Sequence, residues 1–179
     1  FSLKKLKYIG NLKFSVHSKL DTLKDSNRKI LNNYKTWCAA STHEGEEELI
    51  LKAHIEIKKK YKNILTIIIP RHVIRTHIIK NLSKNFDLKV QILNDGDMID
   101  SNIEILVINS FGVLPKYFDY CKNVFIGKSF IKKRKTTGGQ NPIEAAKLGC
   151  KIFYGPYVYN FQEVYELLKS YDIAEETNN

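Results

Sequence analysis

The sequence predicts an α/β fold: a Rossmann-like three-layer domain with a parallel sheet of about six strands. Three observations lead there. Short apolar segments alternate with helix-patterned segments about six times along the chain, as expected for a parallel sheet flanked by helices. The segment 64–69, Ile-Leu-Thr-Ile-Ile-Ile, is nearly continuous in β-branched residues, which suits a strand covered on both faces. Polar clusters recur just after these apolar segments, where open parallel sheets bind their ligands.

Taken in order, residues 20–32 suit a polar helix with Asp21 as cap and Leu23, Ile30 and Leu31 inward. Trp37-Cys38-Ala39-Ala40 reads as the first strand, followed by a helix with Leu49, Ile50, Ala53 and Ile57 on one stripe. After the strand at 64–69, Pro70-Arg71-His72 breaks the pattern and a helix runs to about Leu82. Strands at 88–93 and 103–108 are separated by the turn Asn94-Asp95-Gly96-Asp97. A helix near 114–121, a strand at 124–126, a basic loop, a glycine turn with its helix, a strand at 152–154 and a helix at 161–171 complete the series. Asn160 and Glu163 have the spacing of a capping box before that last helix. No internal sequence repeat underlies the alternation.

Size and composition narrow the function classes. The chain has 179 residues, enough for one domain with a full core. No segment approaches the roughly 20 apolar residues of a membrane span. Cys38, Cys121 and Cys150 are widely spaced, without C-x-x-C, which points to reduced thiols and not to a disulfide framework. No metal-ligand spacing is present, so no metal or cofactor is expected. The formal charge of +10 leaves three readings open: nucleic acid, an anionic membrane surface, or a lysine-rich composition without a partner. The clusters are Lys58-Lys59-Lys60 and Lys132-Lys133-Arg134-Lys135. No nucleic-acid reader motif or stacking-aromatic pattern accompanies them.

The stretch with most chemistry is Gly138-Gly139-Gln140-Asn141-Pro142-Ile143-Glu144. Glycines admit close backbone approach, proline suits a first helical turn, and exposed N–H groups at a helix start attract anions. Glu144 suits sugar hydroxyls; the alternative is a capped loop with Asn141 as N-cap and Glu144 closing a capping box. Arg71, His72 and Arg75 follow the most apolar strand, two forked cations and a titratable donor suited to phosphate or carboxylate. Ser41, Thr42, His43 and Glu44 follow the first strand. Helix capping and the helix dipole account for Ser41, Thr42 and the glutamates. They do not account for His43, nor for Gly45, which costs about 1 kcal/mol relative to alanine inside a helical turn. His17, His54 and His77 stand without such neighbours and read as structural.

In order and spacing, residues 37–48, Pro70-Arg71-His72 with Arg75, residues 138–144, and Gly155-Pro156 with Asn160-Phe161 resemble the C-terminal domain of the 3-deoxy-D-manno-octulosonic acid (Kdo) transferases. The resemblance begins near Gly10-Asn11-Leu12-Lys13-Phe14 and runs to about Leu168. It implies the C-terminal half of a GT-B fold that binds CMP-Kdo and transfers Kdo, without a metal, to a lipid A precursor at the cytoplasmic face of the bacterial inner membrane. That surface stays open as a partner; nucleic acid does not. Arg71 and His72 would face the donor phosphate or carboxylate. Gly138, Gly139 and Asn141 would shape the pocket, Glu144 would hold the ribose, and residues 41–44 would line the cleft. The division it implies is a linker over 1–19 from an N-terminal domain, a donor-binding domain over 20–171, and a frayed tail over 172–179, with the family's final helices absent. The catalytic base and the membrane anchor would lie in the other domain, so this chain would bind donor and transfer nothing. Another GT-B enzyme, a UDP-sugar transferase or 2-epimerase, and a basic nucleic-acid module are the rivals. One departure bears on the site: where the family carries Asp-Thr-x-Gly-Glu-Leu, this chain has Asn109-Ser110-Phe111-Gly112-Val113-Leu114.

Overall fold

The computed structural model describes residues 22–131 and 138–178. The linker, the Asp21 cap, His17 and the basic cluster 132–135 lie outside these residues.

Among them, β1 (Lys35–Thr42), β2 (Ile64–Pro70), β3 (Val90–Leu93), β4 (Ile105–Ile108), β5 (Asn123–Ile126), β6 (Lys151–Tyr154) and β7 (Ala174–Glu176) form one sheet. Its order is β3-β4-β2-β1-β5-β6-β7, with every neighbouring pair parallel. The parallel layer expected from the alternation is therefore present, with seven strands instead of about six. The extra strand comes from the segment expected to fray. Ala174 is buried and pairs with Ile152, and Ile173 packs on the core, so two apolar residues suffice to pin an edge strand.

Helices α2 (Glu46–Lys60) and α3 (Thr76–Lys84) cover one face, over Ala39, Ile68, Ile105 and Val107. Helices α1 (Asp25–Leu31), α4 (Leu114–Phe118), α5 (Ile143–Lys147) and α6 (Gln162–Ser170) cover the other, through Leu31, Phe118, Ala145 and Tyr165. β2 is buried at every position, as its composition predicts. Each such Ile or Leu withdrawn from water contributes about 2 kcal/mol toward the cost of ordering the chain.

The stripe expected on α2 is rotated. Leu49 is exposed, while Glu46, Glu47, Ile50, Leu51 and His54 are buried. Apolar periodicity misplaced the face because three of its five inward residues are polar, each with a partner distant in sequence. His54, read as structural, is one of them: its Nδ1 lies 2.8 Å from Thr66 Oγ1 on β2. Burial holds its pKa down at about 4. Asn160 does not cap α6, which begins at Gln162 after a 3-10 turn over Tyr159–Phe161.

The chain builds outward from β1 through β2 to β3 and β4, then returns to the other side of β1 to lay down β5, β6 and β7. The switch point of the doubly wound sheet is thus the crevice between the carboxyl ends of β1 and β5. That is the place where open α/β sheets take their ligands.

Candidate functional site

Three chain segments converge on this rim. The first is the end of β1. The β1–β2 register slips between Ala40 and Thr42, and Ser41 takes φ 55, a bulge that turns the following residues out of the sheet. His43 then lies half-buried, its Nδ1 3.0 Å from the Ser41 carbonyl. Burial lowers the His43 pKa, so the ring is neutral near pH 7. In that form Nδ1–H donates to Ser41 and Nε2 is left as an acceptor. Gly45 adopts φ 91 and opens α2.

The second segment is the end of β2. Arg71 and His72 are exposed, and the Arg71 N–H donates to the Thr42 carbonyl at 3.0 Å. The His72 ring meets the His43 ring edge-on, centroids 5.9 Å apart. The two histidines that sequence reading placed on separate loops are therefore neighbours.

The third segment follows β5 and reaches the glycine turn. Gly127 is wedged so tightly that a Cβ there would lie 2.6 Å from the Ser41 carbonyl oxygen and 2.9 Å from Glu46 Oε2. Lys128 takes φ 59, and its carbonyl accepts the Gly139 N–H at 2.6 Å. Lys128 also faces His43 closely enough to weigh against that ring's protonation.

The residues expected to contact a ligand separate into two groups. Ser41, His43, Glu44, Arg71 and His72 share the rim, with side chains partly or fully exposed. Thr42 does not: its side chain is fully buried, because the bulge turns it inward. Arg75 is also used elsewhere. Its Nε and Nη2 donate to the two carboxylate oxygens of buried Glu47 at 2.8 and 3.1 Å, and this pairing raises its pKa.

The glycine turn needs its glycines for a different reason than the expected ligand approach. A Cβ on Gly138 would collide with the Tyr157 carbonyl, and one on Gly139, at φ 80, would lie 3.0 Å from Val158 Cα. The turn is thus packed against the loop after β6, an anchorage extended by Asn160 N–H to the Gly138 carbonyl at 3.1 Å and Tyr165 O–H to the Gln140 carbonyl at 3.0 Å. Asn141 Oδ1 accepts the Ile143 N–H at 3.0 Å, which satisfies one of the donors expected to await an anion. With α5 only five residues long, its dipole adds little. Glu144 is half-buried, and desolvation raises its pKa. A carboxyl in that state suits a neutral hydroxylated partner better than an anion.

Sequence reading missed Glu46. Its carboxylate fills the crevice at the switch point and accepts four backbone N–H groups: His43 at 3.0 Å, Lys128 at 2.8 Å, Ser129 at 2.9 Å and Phe130 at 3.0 Å. The sequence signal was a glycine followed by glutamate just after one strand, with another glycine just after β5. Nothing in either stretch names the other as partner. At the far end of the rim, Asn109 Nδ2 donates to Asn94 Oδ1 at 2.8 Å, and Val113 packs on the core. Within the stretch that departs from the family pattern, Asn109 thus ties down the turn after β3 and Val113 packs on the core.

A hollow of about 1320 Å³ lies away from Arg71 and His72. It lies on the sheet face beside α2, among Trp37, Leu49, Phe125, Phe130 and Phe153. It is mostly apolar; its lining includes Lys35, Lys52, Lys122 and the crevice carboxylate Glu46, but not Arg71, His72 or His43. No three His, Cys, Asp or Glu side chains gather as metal ligands would, and no helix is long and apolar enough to cross a membrane, among the described residues. The Lys58–Lys60 cluster is partly spoken for: Lys58 pairs with Glu104 and Lys59 with Glu56.

No family model matches the chain. It is 29% identical over 178 residues to the 3-deoxy-D-manno-octulosonic acid transferase of Haemophilus influenzae, spanning 98% of this chain and 41% of that protein. It is 29% identical to the enzyme of the same name from Aquifex aeolicus, spanning 100% of this chain and 46% of that protein. A bifunctional glycosyltransferase/methyltransferase from Fusobacterium nucleatum is 31% identical over 89% of the chain and 25% of its own length. The chain therefore spans less than half the length of these relatives. In fold it matches the C-terminal CMP-Kdo binding domain of WaaA from Acinetobacter baumannii, with a TM-score of 0.75 and 23% identity over 86% of this chain and 79% of that one. In sequence this chain is similar to the Kdo transferases over part of their length, and in fold to the C-terminal CMP-Kdo binding domain of one of the solved structures.

Proposed function

We propose that this chain binds the CMP-Kdo donor of a glycosyltransferase that moves Kdo to a lipid A precursor in lipopolysaccharide synthesis. The observation that carries the reading is the gathering of Arg71, His72 and His43 on one rim, with the glycine turn held beside them through Lys128. The names of the relatives support it independently.

In this reading the exposed Arg71 fork and His72 take the donor's phosphate or carboxylate, the two anionic groups of a CMP-linked sugar acid. His43, neutral with Nε2 as acceptor, receives a hydroxyl. Glu144, its pKa raised by burial, meets the ribose. Transfer breaks the bond between the anomeric carbon and the CMP phosphate, and negative charge grows on that phosphate. Arg71 and His72 stabilise it without a metal. The proton of the acceptor hydroxyl goes to a base in the other domain, at the inner membrane's cytoplasmic face, so this chain by itself binds and does not transfer.

Calorimetric titration of the chain with CMP and with UMP tests the assignment. A clear preference for CMP is expected. Preference for UMP would transfer the chain to the UDP-sugar enzymes, and equal indifference to both would remove the donor site.

A further inference from the structure

Glu46 opens α2, a position where a glutamate ordinarily faces solvent and the helix dipole. Here it is 1% exposed, and each of its two oxygens accepts two backbone N–H groups. Oε2 takes His43 and Lys128; Oε1 takes Ser129 and Phe130. One carboxylate thus ties the end of β1 to a loop 82 to 84 residues later. Both tied segments carry backbone strain next to it. Ser41 and Lys128 are non-glycine residues at φ 55 and φ 59, a conformation costing about 1 kcal/mol or more each and kept only when the surroundings over-determine it. The chain of contacts continues outward, because Lys128 in turn accepts the Gly139 N–H.

We propose that Glu46 is the positioning residue of the rim: its carboxylate sets the spacing between His43 and the turn at 138–141 through Lys128, without touching the ligand. A carboxylate is required because all four partners are donors and only an ionised acid offers two acceptor-only oxygens. In Glu46→Gln, whichever way the amide turns, its NH2 faces two N–H groups and leaves both unsatisfied. The negative charge has a second consequence. It occupies the amides at the switch point and repels a phosphate from them, which directs the anionic part of a ligand to the side-chain cations at the end of β2. This extension deepens the donor-site reading and rests on it only for its ligand arm.

Amide hydrogen exchange on the labelled chain tests the positioning directly. In the wild type the N–H groups of Lys128, Ser129 and Phe130 are expected to exchange as slowly as strand amides, although they lie in a loop. In Glu46→Gln, exchange at Gly139 is expected to rise at least tenfold while Leu65 and Ile79 in the core are unchanged, and CMP affinity is expected to fall at least tenfold. Loop-like exchange of the three amides in the wild type overturns the proposal, and that measurement needs no variant. Unchanged protection of Gly139 in Glu46→Gln also overturns it. A wild type that ignores CMP strikes the donor reading instead, and the exchange at Gly139 still decides the role of Glu46.

Discussion

Arg75 lays its guanidinium along the buried carboxylate of Glu47, with Nε and Nη2 at 2.8 and 3.1 Å from the two oxygens. The pair joins the start of α3 to the start of α2, and so sets the two loops of the rim side by side. The carboxylate side chain is 2% exposed and the guanidinium 18% exposed. That asymmetry makes the two single truncations unequal. Arg75→Ala strands a buried carboxylate and is expected to cost about 3 kcal/mol. Glu47→Ala leaves a cation able to reach water and is expected to cost about 1.5 kcal/mol. The double variant should cost less than the sum, as urea unfolding will read.

Arg71 presents the opposite case. Its side chain is exposed, and only its backbone N–H takes part in the fold. Arg71→Ala is expected to leave stability within about 0.5 kcal/mol of the wild type. Its CMP affinity should drop about tenfold, the worth of one charge-assisted contact. Arg75→Ala, measured where it is folded, should bind CMP within about twofold of wild type if its fork serves Glu47 alone. Calorimetry on the two variants separates an arginine that meets ligand from one that holds the rim.

The glycines give a graded series. Gly138→Ala places a methyl into the Tyr157 carbonyl and is expected to cost more than about 2 kcal/mol, since backbone on both sides must shift. Gly149→Ala faces open space at φ 73 and should cost only about 1 kcal/mol, from conformation alone. Thermal unfolding of the two variants distinguishes packing from backbone freedom as the reason for a glycine.

His54 supplies a pH dependence. Burial lowers its pKa from the ordinary 6.5 to about 4 in the folded chain. Between those values the unfolded state binds the proton more readily, so stability rises with pH across this window. The contribution is complete above about pH 6.5 and is lost as pH falls toward 4. His54→Gln, which does not titrate, should flatten the slope of urea stability against pH between 4 and 6.5. A slope unchanged in the variant would assign the acid sensitivity to other groups.

The sheet was legible because its signal is local. Six apolar runs with polar breaks are enough to order a parallel layer, and β2 declares itself in six consecutive residues. β7 escaped because its hold on the sheet rests on Ile173 and Ala174 followed by two exposed glutamates. The rim was legible in part. Arg71, His72 and His43 follow strands and carry chemistry that packing does not need. The roles of Arg75, Thr42 and Glu46 were not legible, because each depends on a partner or a bulge that composition does not encode. Glu47 and Arg75 are 28 residues apart, and Glu46 meets its loop amides more than 80 residues later. Acids clustered after a glycine look alike whether they face water or the interior. The glycine pair at 138–139 was identified as a close-approach site, and it is one, toward Tyr157 and Val158.

The account stands most directly on where a cytidine nucleotide touches this chain. Titrating the isotope-labelled protein with CMP and following its amide signals gives the answer residue by residue. The expected result is a set of shifts gathered at His43, Arg71, His72, Gly139 and Glu144, on one rim of the sheet. Shifts gathered instead around Trp37 and Phe153 on the sheet face, or spread without a centre, would contradict it.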